Sequence, residues 1–154
     1  MTRLLGVDLG ARRIGVAMGD DVSGAVRPLA TLRRGTLERD VTSLRRLVDE
    51  QRIGELVVGL PRNMDGSEGP QAAETRRWAE AVGAEVGVPV RLRDERLTSE
   101  AAEARLGRLP RGRSGGPPSG SRRSAYRAAV DREAAVGILQ AELDARGSPA
   151  RPAI

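Results

Sequence analysis

Two short apolar runs interrupted by glycine open the chain: Leu4-Leu5-Gly6-Val7-Asp8-Leu9, then Ile14-Gly15-Val16-Ala17-Met18. They predict two antiparallel strands joined by a turn at Gly10. The second strand has a bulky face of Ile14, Val16 and Met18 and a thin face of Gly15 and Ala17. Gly19-Asp20-Asp21 is turn chemistry, and a third short strand is expected from Arg27 to Leu32, with Pro28 placing it toward an edge. Leu37, Val41, Leu44 and Val48 then recur at helical spacing, and Glu38 and Asp40 suit the first turn of that helix. The run from Gly54 to Pro61 reads as a strand buried on both faces. A turn-rich loop, Arg62 to Gly69, leads into a helix in which Ala72, Ala79 and Val82 share a face. A fifth strand over 88–93 completes a βαβ unit, and sites tend to form at the carboxyl ends of such strands. Beyond it, Thr98 or Ser99 can cap a helix running to about Leu109. The stretch 110–124, rich in Gly, Pro and Arg, is expected to be a flexible loop incompatible with helix. A last helix spans about Ala125 to Ala145. The result is one α/β domain over 1–146 with a disordered tail over 147–154.

Composition narrows the chemistry. The chain has 154 residues and contains neither cysteine nor histidine. Disulfides, thiolate metal sites, the usual zinc ligands and imidazole bases are therefore excluded, and any catalysis must run on carboxylates. No apolar run approaches ~20 residues and nothing resembles a signal peptide, so the expected location is cytoplasmic, with no membrane partner. The net charge is +5, and all basic residues are arginine. Arg105, Arg108, Arg111, Arg113, Arg122, Arg123 and Arg127 fall in a window without an acid, and the remaining 19 basic residues face 21 acidic ones. The positive charge is thus concentrated in one segment, which points to a polyanion contact there; the plain alternative is a solvated arginine-rich loop. With only Trp78 and Tyr126 as aromatics, base stacking is a poor option and contacts should fall on phosphates.

Two aspartates stand out. Asp8 sits inside an apolar strand, where a carboxylate needs either a hydrogen-bonding turn or a cation. Asp131 interrupts a helical stripe of Ala128, Ala135, Ile138 and Leu139, so it is expected to face a polar cavity at the sheet. Asp94 or Glu95, at a strand end, supplies a third carboxylate from a distant part of the chain. Oxygen ligands without imidazole or thiolate suit Mg²⁺ or Mn²⁺, and a pair of such ions clamps the attacking and leaving oxygens of a phosphodiester displacement.

Gly6-Val7-Asp8-Leu9-Gly10 with Arg13-Ile14-Gly15-Val16-Ala17, Val58-Gly59-Leu60-Pro61 with Asn63-Met64-Asp65-Gly66, Asp94-Glu95-Arg96-Leu97-Thr98, and Val130-Asp131-Arg132-Glu133-Ala134-Ala135 with Ile138-Leu139 form four motifs in order. In these the chain resembles the YqgF or RuvX family of Holliday junction resolvases and pre-16S rRNA processing nucleases. The resemblance implies an RNase H-like fold with a five-stranded mixed sheet in the order 3-2-1-4-5, flanked by helices. It also implies hydrolysis of phosphodiester bonds in branched DNA or precursor rRNA. Asp8, Glu95 and Asp131 would be the catalytic and metal-binding acids, with Asp94 in support. Arg12, Arg62, Asn63 and Arg96 would join Arg111, Arg113, Arg122, Arg123 and Arg127 on the nucleic-acid side. Where family members often carry a lysine close to the last aspartate, the nearest upstream base here is Arg127. A junction resolvase needs two active sites and hence a symmetric homodimer.

Two other classes fit parts of the pattern. A binding protein without catalysis needs only the fold and the arginines, and metal-dependent nicking separates it from a nuclease. An actin-like ATPase or sugar kinase opens with a similar aspartate and glycine strand, but it needs a second lobe that 154 residues do not accommodate.

Overall fold

A computed structural model describes residues 1–95 and 120–147. The sheet is built from β1 (Arg3–Leu9), β2 (Arg13–Asp20), β3 (Val26–Arg33), β4 (Glu55–Leu60) and β5 (Val90–Asp94), in the order β3-β2-β1-β4-β5. The β1–β2 and β2–β3 pairs are antiparallel, and β4 lies parallel to both β1 and β5. The expected mixed sheet and its order are therefore present, with Pro28 on an edge strand as its missing N–H requires. The helices are α1 (Leu37–Gln51), α2 (Pro70–Val86) and α3 (Gly120–Gly147).

Strand alternation divides the core. Leu5, Val7, Leu9, Ile14, Val16, Leu56 and Val58 point to one face and pack with Val41, Leu44 and Val48 of α1 and Trp78, Ala79 and Val82 of α2. A buried carboxylate ties these two helices together: Asp40 accepts from the Trp78 indole at 3.1 Å and from the Gly35 amide at 2.9 Å. The other face is thin and receives α3, where Leu4 and Val57 meet Ile138, Leu139 and Leu143. Glycine makes this close approach possible. A Cβ on Gly6 would stand 2.8 Å from the Leu139 Cβ, and one on Gly15 would overlap the main chain of Asp131.

Several boundaries differ from the sequence reading. β3 begins one residue earlier and ends one later, at Val26 and Arg33. β5 begins at Val90 because Pro89 has no N–H to offer; its carbonyl still accepts from the Leu56 amide at 2.9 Å. α3 begins at Gly120, so the last five residues of the stretch expected to be a loop are helical. The prolines that forbid helix end at Pro118, and the serines and arginines after it carry no such penalty. Gly147, expected to open the tail over 147–154, is instead the last residue of α3. The expected helix from 98 to 109, the rest of that loop and the remainder of the tail lie outside the described residues.

One buried acid on α3 was not anticipated. Glu142 is 1% exposed and pairs with Arg146 at 2.7 Å, Arg91 at 3.1 Å and Arg93 at 3.3 Å. Arg146 also holds Glu55 of β4 at 2.6 Å. Burial works against the Glu142 charge, but the Arg146 hydrogen bond and the surrounding arginines outweigh it, so the carboxyl titrates below the usual glutamate range. This cluster clamps the C-terminal half of α3 to β4 and β5, which holds the N-terminal half in place over β1 and β2.

Candidate active site

The site lies on the thin face of the sheet, and glycines on neighbouring strands admit its acids. Asp8 is the sixth residue of β1 and pairs across the sheet with Gly15 of β2. Because Gly15 has no side chain, the α3 backbone at Asp131 settles directly over it, with the Asp131 Cα 3.1 Å from where a Cβ would stand. This contact brings Asp131 beside Asp8. On the opposite flank, Gly59 of β4 leaves room for Glu95, whose Cδ lies 2.9 Å from the missing Cβ position. The Glu95 amide donates to the Leu60 carbonyl at 2.9 Å, anchoring the chain as it leaves β5.

Electrostatics show how closely the three acids interact. Burial first, and then the nearby Asp131 charge, push the Asp8 carboxyl up to about 6, while a hydrogen bond with Glu95 acts in the opposite direction. Asp131 in turn receives the Arg13 Nε at 2.7 Å, a pair with 29% and 21% side-chain exposure. Among the described residues, no three acids close into a ready metal cage, and Asp131 is engaged by Arg13. The donor set is nonetheless all oxygen and carries more negative charge than its surroundings tolerate. Those properties fit a hard divalent cation.

A stability prediction follows from the raised Asp8 value. Folded Asp8 holds its proton more readily than unfolded Asp8, so ionising it costs folded stability above pH ~6, and that cost disappears once both states are protonated below pH ~4. In metal-free protein, Asp8→Asn is therefore expected to raise stability by about 1–3 kcal/mol at pH 8, with the gain fading between pH 6 and pH 4. Urea melts of the two proteins across that range check this, and a gain that grows toward acid would contradict it.

The structure distributes the other nominated residues unevenly. Asp94 is exposed and, by strand parity, lies on the face of Val90 and Leu92, whereas Glu95 falls on the face of Arg91 and Arg93. Arg123 and Arg127 line a cleft of about 810 Å³ together with Arg12, Arg13 and Asp131. Arg122 is exposed on the first turns of the same helix and is absent from that lining. Asn63 belongs to a self-tied loop after β4: its amide donates to the Ser67 carbonyl at 2.8 Å, and Asp65 accepts from the Ser67 amide and hydroxyl at 2.9 and 2.6 Å. Arg62, just before it, has a buried Nε without a hydrogen-bond partner. Arg96, Arg111 and Arg113 lie outside the described residues. Sequence reasoning selected Arg12 from the Arg12-Arg13 pair and overlooked Arg13 as the residue that holds Asp131. Strand parity was the available signal, because Arg13 shares the thin face with Gly15 and Ala17.

Comparison with known proteins places this geometry in context. A family model described as "RuvX: Holliday junction resolvase" matches residues 2–145. A protein of Anaeromyxobacter sp. strain Fw109-5 is 45% identical over 144 residues, covering 94% of this chain and 98% of its own. One from Moorella thermoacetica is 44% identical over 150 residues, covering 94% and 96%. Both bear the name "Putative pre-16S rRNA nuclease". Among solved structures, T. thermophilus RuvC in complex with Holliday junction substrate aligns with a TM-score of 0.54 at 17% identity, covering 95% of this chain and 96% of that one. The Fowlpox virus resolvase with its substrate Holliday junction DNA gives 0.54 at 9% identity, covering 94% and 99%. These two establish likeness of fold.

Proposed function

The chain belongs to the RuvX family of nucleases, and from that premise we propose that Asp8, Glu95 and Asp131 form the reacting centre of a metal-dependent phosphodiesterase acting on structured nucleic acid. The observation that carries this reading is the placing of Asp8, Glu95 and Asp131 on one face of the sheet, where burial and then the Asp131 charge push Asp8 up to about 6, beside a cleft lined by Arg12, Arg13, Arg123 and Arg127. Mg²⁺ or Mn²⁺, as a pair of ions held by the three acids, would polarise the phosphate and activate the attacking water. Asp8 is held rigidly in a sheet strand, Glu95 is fixed by its main-chain bond to Leu60, and Arg13 orients Asp131 from across the hairpin. Arg12, Arg123 and Arg127 neutralise the phosphates flanking the scissile one, and the Asn63 loop with Arg62 approaches the substrate from the carboxyl end of β4. With no histidine or cysteine in the chain, proton transfer falls to these carboxylates and to water.

Precursor 16S rRNA, after the name carried by the relatives, and a four-way DNA junction, after the family description, are the two substrates to compare in this reading, with the enzyme acting in the cytoplasm. Resolution of a junction additionally requires a homodimer with paired sites. Side-by-side cleavage of a labelled junction and a precursor-like RNA in Mg²⁺ and in Mn²⁺ tests the proposal. Cleavage is expected in either ion and absent in EDTA, with Ca²⁺ supporting binding better than turnover. Undiminished cleavage in excess EDTA would overturn the metal-dependent mechanism, and binding without cleavage in any ion would leave a nucleic-acid-binding protein on the same fold.

A further inference from the structure

A second cleft, of about 820 Å³, adjoins the first on the other side of the β1–β2 turn. Arg12, Arg13 and Ser124 border both clefts, but the second continues along the end of β3 to Arg33, Arg34 and Arg132. Among the described residues no acid lines it. Its construction places like charges together. Arg13 and Arg33 are direct cross-strand partners, and the Arg34 amide donates to the Arg12 carbonyl at 2.9 Å, so four arginines meet where β2 begins and β3 ends. Like charges directly opposite one another in a sheet are destabilising. Arg13 is relieved by Asp131 and Arg34 by Glu74 at 2.8 Å, while Arg33 is exposed and makes no ion pair among the described residues.

The cleft is also held in shape. The Arg132 guanidinium donates to the Thr31 hydroxyl at 3.2 Å, and that hydroxyl donates to the Ala128 carbonyl at 2.7 Å, tying β3 to α3. Arg34 donates to the Gly10 carbonyl at 2.9 Å and so fixes the turn between the two clefts. α3 forms the shared wall. The row Arg123, Arg127, Asp131 faces the first cleft, and the adjacent row Ser124, Ala128, Arg132 faces the second. Adjacent rows lie about 100° apart around a helix whose diameter with side chains is roughly 10–12 Å, so the two clefts open roughly 10 Å apart. That spacing is of the order of the grooves of a double helix, about 6 and 12 Å in B-form DNA.

We propose that this acid-free arginine cleft holds the phosphate backbone of the strand opposite the one presented to Asp8, Glu95 and Asp131, so that the substrate is engaged as a double helix. The inference rests on the nuclease reading, because it takes the first cleft as the seat of the cut strand. Arg33 and Arg132 are the binding residues for the uncut strand, and Arg34 positions the turn between them and the reacting centre.

Fluorescence anisotropy in EDTA, where the proposed chemistry is silent, separates the strands. The probes are one labelled sequence as single strand, as DNA duplex and as RNA duplex, each titrated over a range of salt. In the Arg33→Gln/Arg132→Gln variant, duplex affinity is expected to fall by about 10-fold and the salt slope to shrink by about two, while single-strand affinity changes by less than ~2-fold. The Thr31 bond to the Ala128 carbonyl does not depend on the Arg132 side chain, and the Arg33→Gln single variant, which relieves a like-charge pair, should melt no lower than the parent. The single variant is expected to show the duplex-selective loss on a smaller scale. The two duplexes report which sugar the cleft accepts, and a selective loss on either one supports the proposal. Equal losses on single strand and duplex, or no loss on either duplex, would overturn it. A parent protein that binds duplex but cuts nothing in Mg²⁺ or Mn²⁺ would instead overturn the nuclease reading, whereas one that cuts while the double variant binds duplexes normally would overturn this inference alone.

Discussion

Asp8→Asn, Glu95→Gln and Asp131→Asn are each expected to lower single-turnover cleavage by on the order of 10³-fold or more while leaving nucleic-acid affinity in EDTA nearly unchanged. Each substitution keeps the shape of the side chain and removes the negative charge that a divalent ion needs. The three lie on one face and, in the proposed mechanism, act on the same ions, so double variants should be scarcely worse than single ones. Asp94→Asn is the internal control: its side chain is exposed and on the opposite sheet face, and cleavage should stay within ~3-fold of the parent, the range of a surface change. An Asp131→Asn variant that cleaves like the parent would show that the close seating of α3 on Gly15 serves packing alone. A dead Asp94→Asn beside an active Glu95→Gln would exchange the roles of that pair and leave the other two acids in place.

How far the sequence discloses this arrangement depends on whether the relevant signal is local. β1 and β2 are legible because glycine alternates with apolar residues over a few positions, and Asp131 is legible because it breaks a helical stripe. Choosing between Asp94 and Glu95 needed only strand parity: Val90 and Leu92 face the core of α1 and α2, so the residue aligned with them is Asp94 and the one on the other face is Glu95. Glu142 could not be read in that way. It looks like one more surface acid near the end of a helix, and its burial depends on Arg91 and Arg93 of a strand some fifty residues earlier and on Arg146, which is itself shared with Glu55. Arg33 and Arg132 were missed for the same reason. Charge counting finds runs along the chain, whereas this cluster is assembled by the β2–β3 register and by the seating of α3. The sheet order, too, came from resemblance and not from periodicity, because alternation says which face a residue takes and not which strand lies beside it.

The first turns of α3 carry the remaining large effect. Arg123, Arg127 and Asp131 follow at intervals of four, so two arginines and the acid proposed as catalytic stand in one row along the cleft. Like charges at that spacing weaken a helix by about 0.2–0.5 kcal/mol per pair, so the pattern works against folding and in favour of anion binding. Phosphates near a helix N-terminus gain further from the exposed main-chain amides and the helix dipole. Arg123→Gln/Arg127→Gln is therefore expected to lower affinity for every nucleic acid tested, single strand included, by roughly 30–100-fold at low salt and to flatten the salt slope by about two. Extending the change to Arg111 and Arg113 should deepen both effects if the whole arginine window grips the same backbone. Cleavage at saturating substrate should persist, because the acids are untouched, and thermal stability should hold or rise slightly. Anisotropy titrations from low to high salt, paired with single-turnover cleavage, decide the matter. An unchanged slope would mean that these arginines only keep the helix soluble, and the cut strand would then have to be held by Arg12, Arg62 and Arg96. A lost slope with intact chemistry would divide the labour on α3 cleanly, with its first turns binding the backbone and Asp131, one turn beyond Arg127, serving the reaction.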